Sequence, residues 1–212
     1  MVPLPNLLTF ALASVALIVL PGPTVLFVIG RSLALGRLGG LLSVLGNALG
    51  LIPVVAAVAL GLGAIVTGSI VVFTTIKFAG AAYIVYLGVQ AIRHRHAAAR
   101  SIGLSSVPKT KWRLLAEGSV VGISNPKSIV FFVAVLPQFV DYSAGAVPLQ
   151  LLTLGLVFVL LALLGDSVWA LAAGSARDWF ASSPRRMEHL SAGGGVMMIG
   201  LGGVLAATGA QA

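Results

Sequence analysis

Six apolar runs, over residues 6–30, 39–66, 69–92, 114–140, 147–173 and 191–208, leave this chain little choice of fold. A helix needs about 20 apolar residues to cross the hydrocarbon core of a bilayer, and each run comes close to that or exceeds it. Helices are what lipid permits, because isolated strands would leave edge amides and carbonyls unpaired there. Charged residues make up only 8% of the chain, against about a quarter in a soluble domain. The expectation is an all-α integral membrane protein of six transmembrane helices, one domain over residues 1–212. Residues 1–20 hold no Lys or Arg, so the first run reads as a mature span rather than a cleaved signal peptide.

Eleven of the thirteen basic residues fall in alternate connections. Arg31 and Arg37 follow the first run. Arg93, Arg95, Arg100, Lys109, Lys111 and Arg113 follow the third, and Arg177, Arg185 and Arg186 the fifth. The connections after the second and fourth runs hold none. The positive-inside rule therefore puts the basic connections in the cytoplasm and both termini outside. The net charge of +8 then reports orientation, and no nucleic-acid partner is expected. Trp112 and Trp179 beside basic connections fit interfacial anchors. A first half over about 6–92 that starts outside, and a second over about 114–208 that starts inside, make a 3+3 inverted-topology repeat. A basic cytoplasmic linker over about 93–113 joins them.

Spans one and four carry matching interruptions: Pro21-Gly22-Pro23 and Asn125-Pro126. Proline removes an amide and clashes with the turn before it, so helices one and four are expected to be proline-broken. A half-helix that begins at such a break points free N–H groups and a positive dipole at mid-depth. Coming from opposite sides, two such ends suit the carboxylate of a small substrate. The alternative is a pair of packing kinks healed by neighbouring helices.

Lys127 follows the second break, 14 residues beyond Arg113, or about 21 Å along a helix. That is too deep for easy snorkelling. Asp166 is the one acid well inside a span, about 12 Å from its basic end. It is a candidate proton relay, or the structural partner of Lys127. Asn47 in span two either bonds across helices or lines a cavity. The candidate substrate site is thus Pro21, Gly22, Pro23, Asn47, Asn125, Pro126 and Lys127, with Asp166 for proton coupling. Lys77 reads as a snorkelling lysine, Glu117 as an acid favoured by a helix start, and Tyr83 with Tyr86 as a packing pair. Most of the 26 glycines read as close helix contacts.

Absences narrow the function. There is no cysteine, so no disulfide or thiolate metal site. His94, His96 and His189 lie in cytoplasmic connections, which argues against an intramembrane metal site or histidine base. There is no phosphate-binding loop and no filter motif. No metal, no cofactor and no enzyme chemistry is expected.

Several pieces together resemble the LysE/RhtB family of amino-acid exporters. They are Pro21-Gly22-Pro23, the spaced glycines Gly36, Gly40, Gly46 and Gly50, and the run from Lys77 through Tyr83 and Tyr86 to Gly88. Asn125-Pro126-Lys127 and Leu136-Pro137-Gln138-Phe139 complete the set. The resemblance covers almost the whole chain in order. It implies a secondary transporter of the bacterial inner membrane that exports amino acids or close derivatives by proton antiport. It also implies a six-helix unit that admits a homodimer. Some members carry an acidic or polar residue after the glycine matching Gly50. Leu51 stands there in this chain, which implies a neutral or apolar substrate. The competing reading is a non-transporting membrane scaffold whose buried charges serve packing.

Overall fold

The computed structural model describes residues 2–66, 70–96, 110–176, 179 and 183–207. Within them the architecture is helical, and no strand occurs. The helices are α1 (Leu4–Val19), α2 (Pro23–Val66), α3 (Ile70–Arg93), α4 (Lys111–Ile123), α5 (Pro126–Ala134), α6 (Val147–Ser175) and α7 (Pro184–Ala207). A short 3-10 turn over Leu136–Phe139 extends α5. By length and composition alone, two helical stretches qualify to cross a membrane, Pro23–Gly61 and Val147–Ser175. A third is the bent pair Lys111–Ile123 and Pro126–Phe139, which meet at 44°. The chain is a multi-pass membrane protein. Large apolar side chains such as Leu12, Leu160, Leu164 and Val168 cover its outside, as lipid contact requires.

Helix ends follow from backbone chemistry. The carbonyl of Leu17 would take the amide of residue 21 and that of Val19 the amide of residue 23, but both are prolines. So α1 ends at Val19, and the chain runs through Leu20, Pro21 and Gly22 before Pro23 opens α2. Pro126 opens α5 with Asn125 as its cap, the place in a helix where a missing N–H costs nothing.

α2 is two helices in one. Gly36, with φ +75° and ψ −179°, reverses the chain inside it, a conformation open essentially to glycine alone. The two arms, residues 23–35 and 37–66, then lie side by side. A Cβ at Gly40 would overlap the hydroxyl of Ser32, eight residues back, which no straight helix could bring so near. Val28 and Val44, one from each arm, both pack on Ala170 of α6. Gly36 is therefore the turn residue of the connection expected between the first two runs.

Close approach of backbones sets the rest. Along the seam between α2 and α4, a Cβ on Gly46 would sit 2.2 Å from the Leu115 carbonyl oxygen, and one on Gly50 2.2 Å from that of Ser119. Gly118 and Gly122 meet Ser43 and Asn47 in return. α3 and α7 touch through Gly88 and Gly195, each of whose Cβ atoms would fall 2.5 Å from the other's carbonyl oxygen. Small residues buy such contacts in lipid, where apolar burial alone does not drive helices together.

The turn before α6 is held from α6 itself. Buried Gln150 donates to the carbonyls of Asp141 and Gly145 and accepts the Asp141 amide. The Asp141 carboxylate accepts from the Ser143 hydroxyl and from the amides of Ala144 and Ser143. The Ser143 hydroxyl first, then those amides, hold its pKa below the ordinary carboxylate value.

Candidate functional site

The end of α1 and the start of α5 meet at the centre of the packing. The ammonium of Lys127 donates to the Leu17 carbonyl at 2.9 Å and to the Leu20 carbonyl at 3.0 Å. Helix C-termini carry orphan carbonyls and partial negative charge, and a cation there is favourable. Lys127 is only 5% exposed, so both bonds form away from water, where an unpaired ammonium would be costly.

Asn125 organises the other end. Its Oδ1 accepts the Lys127 amide at 3.1 Å, the usual N-cap bond. That leaves Nδ2 to donate to the hydroxyls of Thr24 at 2.6 Å and Ser128 at 2.9 Å. Thr24 sits in the first turn of α2 and Ser128 in the first turn of α5. Asn125 thus joins the two helix starts that follow the two proline interruptions.

Asp166, 4% exposed on α6, accepts from Asn47 Nδ2 of α2 at 3.1 Å. Among the described residues Lys127 and Asp166 form no ion pair. They instead line one cavity, whose other polar walls are Thr24, Asn47, Asn125 and Ser128. Ile18, Val25, Leu51, Phe158 and Ala162 make its apolar side. Its volume is about 20 Å³, room for a water and far less than an amino acid occupies.

Two side-chain clusters flank the cavity. Toward the N-terminus of α1, the rings of Phe10, Phe131, Phe132 and Phe158 form one buried cluster, with centroids 4.8–6.4 Å apart along the chain of contacts. Toward Gly36, Arg31 of α2 pairs with Glu117 of α4, and Arg113 holds the other carboxylate oxygen at 3.0 Å. Arg31 also lies over the Phe27 ring. Arg31 is seven residues beyond Thr24, and Glu117 eight before Asn125, so the pair stands about 10–12 Å from the cavity.

Of the residues singled out in the sequence, Asn47, Asn125, Lys127 and Asp166 come together at the cavity. Pro21 and Gly22 are buried in the link before α2, Pro23 is exposed at the first position of α2, and Pro126 is half-buried. Their role is to end and start helices. Glu117 is not explained by a helix start, because it lies beyond the first turn of α4 and is held by two arginines. Tyr83 and Tyr86 do share a face, their rings 5.7 Å apart. The Lys77 side chain and residues 97–109 of the linker lie outside the described residues. Sequence reasoning missed Thr24, Ser128 and Arg31. The first two did carry a signal: each is a hydroxyl residue directly after Pro23 or Lys127.

Known proteins resemble this chain over nearly its whole length. The family model described as LysE type translocator matches residues 15–209. A Vibrio cholerae protein known only as an uncharacterized membrane protein is 35% identical, over 94% of this chain and 95% of that protein. A Salmonella typhi protein named homoserine/homoserine lactone efflux protein is 31% identical, over 93% of this chain and 94% of its own length. An uncharacterized membrane protein of Bacillus subtilis is 28% identical over 93% of this chain and 96% of its own. No solved structure matches the chain.

Proposed function

The chain belongs to the LysE type translocator family, and on that premise we propose that it is a secondary exporter of small neutral amino acids such as L-homoserine, driven by proton antiport. The observation that carries this reading is the cavity. Lys127, Asn125, Asn47 and Asp166 are buried around one small space at the helix ends beside Pro21–Pro23 and Pro126, and Lys127 and Asp166 are the charged residues among the buried ones described. Buried ionisable groups in a membrane protein mark a transport path by default. The apolar side of the cavity, Leu51 included, offers no acid to a cationic side chain.

In this reading the fold is a 3+3 inverted repeat of six spans. Spans one and four are the proline-broken ones: α1 continued by residues 23–35, and α4 continued by α5. Both termini are periplasmic and the membrane is the bacterial inner membrane. Arg31, Glu117 and Arg113 then lie on the cytoplasmic side and the phenylalanine cluster on the periplasmic side. The structure described is the occluded form, and rocking of the halves exposes the cavity to each side in turn. Asp166 carries the proton inward or meets the substrate ammonium. A homodimer is compatible with this unit and not required by it.

A scaffold reading draws on one fact, that Lys127 holds the end of α1 through two hydrogen bonds. It leaves Asp166 and the cavity without a purpose. The deciding experiment is flux. Purified protein in proteoliposomes loaded with an amino-acid panel that includes L-homoserine should release some members when a proton gradient is imposed. Release of none, with protein shown to be folded and inserted, would favour the scaffold.

A further inference from the structure

Asn125 fixes the direction of two hydroxyl protons. Its Oδ1 is spent on the Lys127 amide, so the side chain cannot flip, and both protons of Nδ2 go to Thr24 and Ser128. Each hydroxyl is thereby an acceptor toward Asn125, and its own O–H must be donated elsewhere. Among the described residues neither Thr24 nor Ser128 donates to any protein group. Neither makes the back-bond to the carbonyl four residues earlier that Thr9, Ser43, Ser124, Thr153, Ser167 and Ser175 all make, because each stands in a first turn and that earlier residue lies outside its helix. Both are at least 95% buried, and both line the cavity. A buried O–H left without an acceptor is costly, and here two are held side by side by one amide.

We propose that Thr24 and Ser128 are the paired hydroxyl donors that receive the carboxylate of the transported amino acid, with Asn125 as the residue that positions them. The inference rests on the transport reading and names its anion subsite. Ser128 also brings its backbone amide, in the first turn of α5, where N–H groups have no helical acceptor. Lys127 has three protons and gives two to Leu17 and Leu20, so one remains for the same anion. Asp166, which lines the same cavity and takes a single bond from Asn47, is the acceptor for the substrate ammonium. Hydroxyl and ammonium donors with an acid around one cavity match the carboxylate and ammonium of an amino acid head group.

The test compares L-homoserine with L-homoserine amide, which differ only at the carboxyl group, as substrates in proteoliposomes. Thr24→Val and Ser128→Ala each remove one hydroxyl at nearly constant shape. Each should raise the KM for homoserine about tenfold, as expected for a lost hydrogen bond to a charged group, and change that of the amide much less. Thr24→Ser should restore the wild-type preference, and detergent melting temperatures show which variants are folded. Equal losses for the two compounds, or no change for either, would overturn the assignment. Wild-type protein that carries no member of the amino-acid panel would instead remove the transport reading, and this inference with it; if another amino acid is carried in place of homoserine, it and its amide serve as the pair.

Discussion

The ammonium of Lys127 occupies the carbonyl of Leu17 that Pro21 leaves without an amide. The two residues are 110 apart in the chain, yet the proline's defect and the lysine's placement answer each other. One removes a donor from the end of α1, and the other returns a charged one from the start of α5.

That relationship is measurable as a coupling. Pro21→Ala restores an N–H able to reach the Leu17 carbonyl, so Lys127→Met should be less damaging in that background than in the wild type. The expected coupling energy is about 0.5–3 kcal/mol, the range for residues that share a partner. Lys127→Gln keeps a donor without the charge and should be more stable than Lys127→Met by about 1 kcal/mol. Unfolding in detergent gives both numbers, and strict additivity of Pro21→Ala and Lys127→Met would refute the link.

Asp166→Asn retains the shape that Asn47 bonds and removes the group that can take up a proton. Exchange of labelled homoserine across the membrane, with no gradient imposed, should persist at a reduced rate. Acceleration by a proton gradient should vanish. A variant that still responds to the gradient would take Asp166 out of the coupling.

Glycine substitutions should separate packing from backbone strain. Gly46→Ala pushes a Cβ into the Leu115 backbone and should force α2 from α4, with the largest loss of melting temperature. Gly36→Ala meets nothing within 4 Å but must hold φ +75°, at a cost of about 1–3 kcal/mol. Gly61→Ala, in open space within a helix, should be neutral or stabilising by up to about 1 kcal/mol.

The Arg31–Glu117 pair should act as the cytoplasmic closure. The natural chain has no cysteine, so Ala162→Cys places a single thiol on the cavity wall. Labelling by a membrane-impermeant reagent from the cytoplasmic side should be about tenfold faster with Glu117→Gln added, as expected when about 1.4 kcal/mol of closure is lost. Arg113→Ala removes only a contact within α4 and should have a small effect. Acceleration from both sides alike would mean general loosening instead.

Much of the fold was legible because lipid acts on each segment separately. Val147–Ser175 is the expected fifth span almost to the residue, since a run of apolar residues between polar turns can do nothing else in a bilayer. A connection between the first two runs was legible over residues 31–38, but not that Gly36 makes the whole turn with helix on both sides of it. Asn125, Lys127, Asn47 and Asp166 could be picked out because each is expensive in lipid. Thr24 and Ser128 are cheap there, since a hydroxyl can usually bond its own helix, so their importance shows only in the bonds they fail to make.

The sequence by itself determined that this chain is helical and embedded in a membrane, and singled out Asn47, Asn125, Lys127 and Asp166 among the polar residues buried with it. Those are properties of single residues and short runs, decided by the cost of transfer into lipid. The tertiary structure decided who answers whom: Lys127 for Leu17 and Leu20, Asn125 for Thr24, Arg31 for Glu117, Asp166 for Asn47. These partners are 86 to 119 residues apart, and a hydrogen bond is lost over a fraction of an ångström. Only the packed helices set distances that fine, which is why the sequence offered Asp166 as the partner of Lys127 and the fold supplied a carbonyl instead.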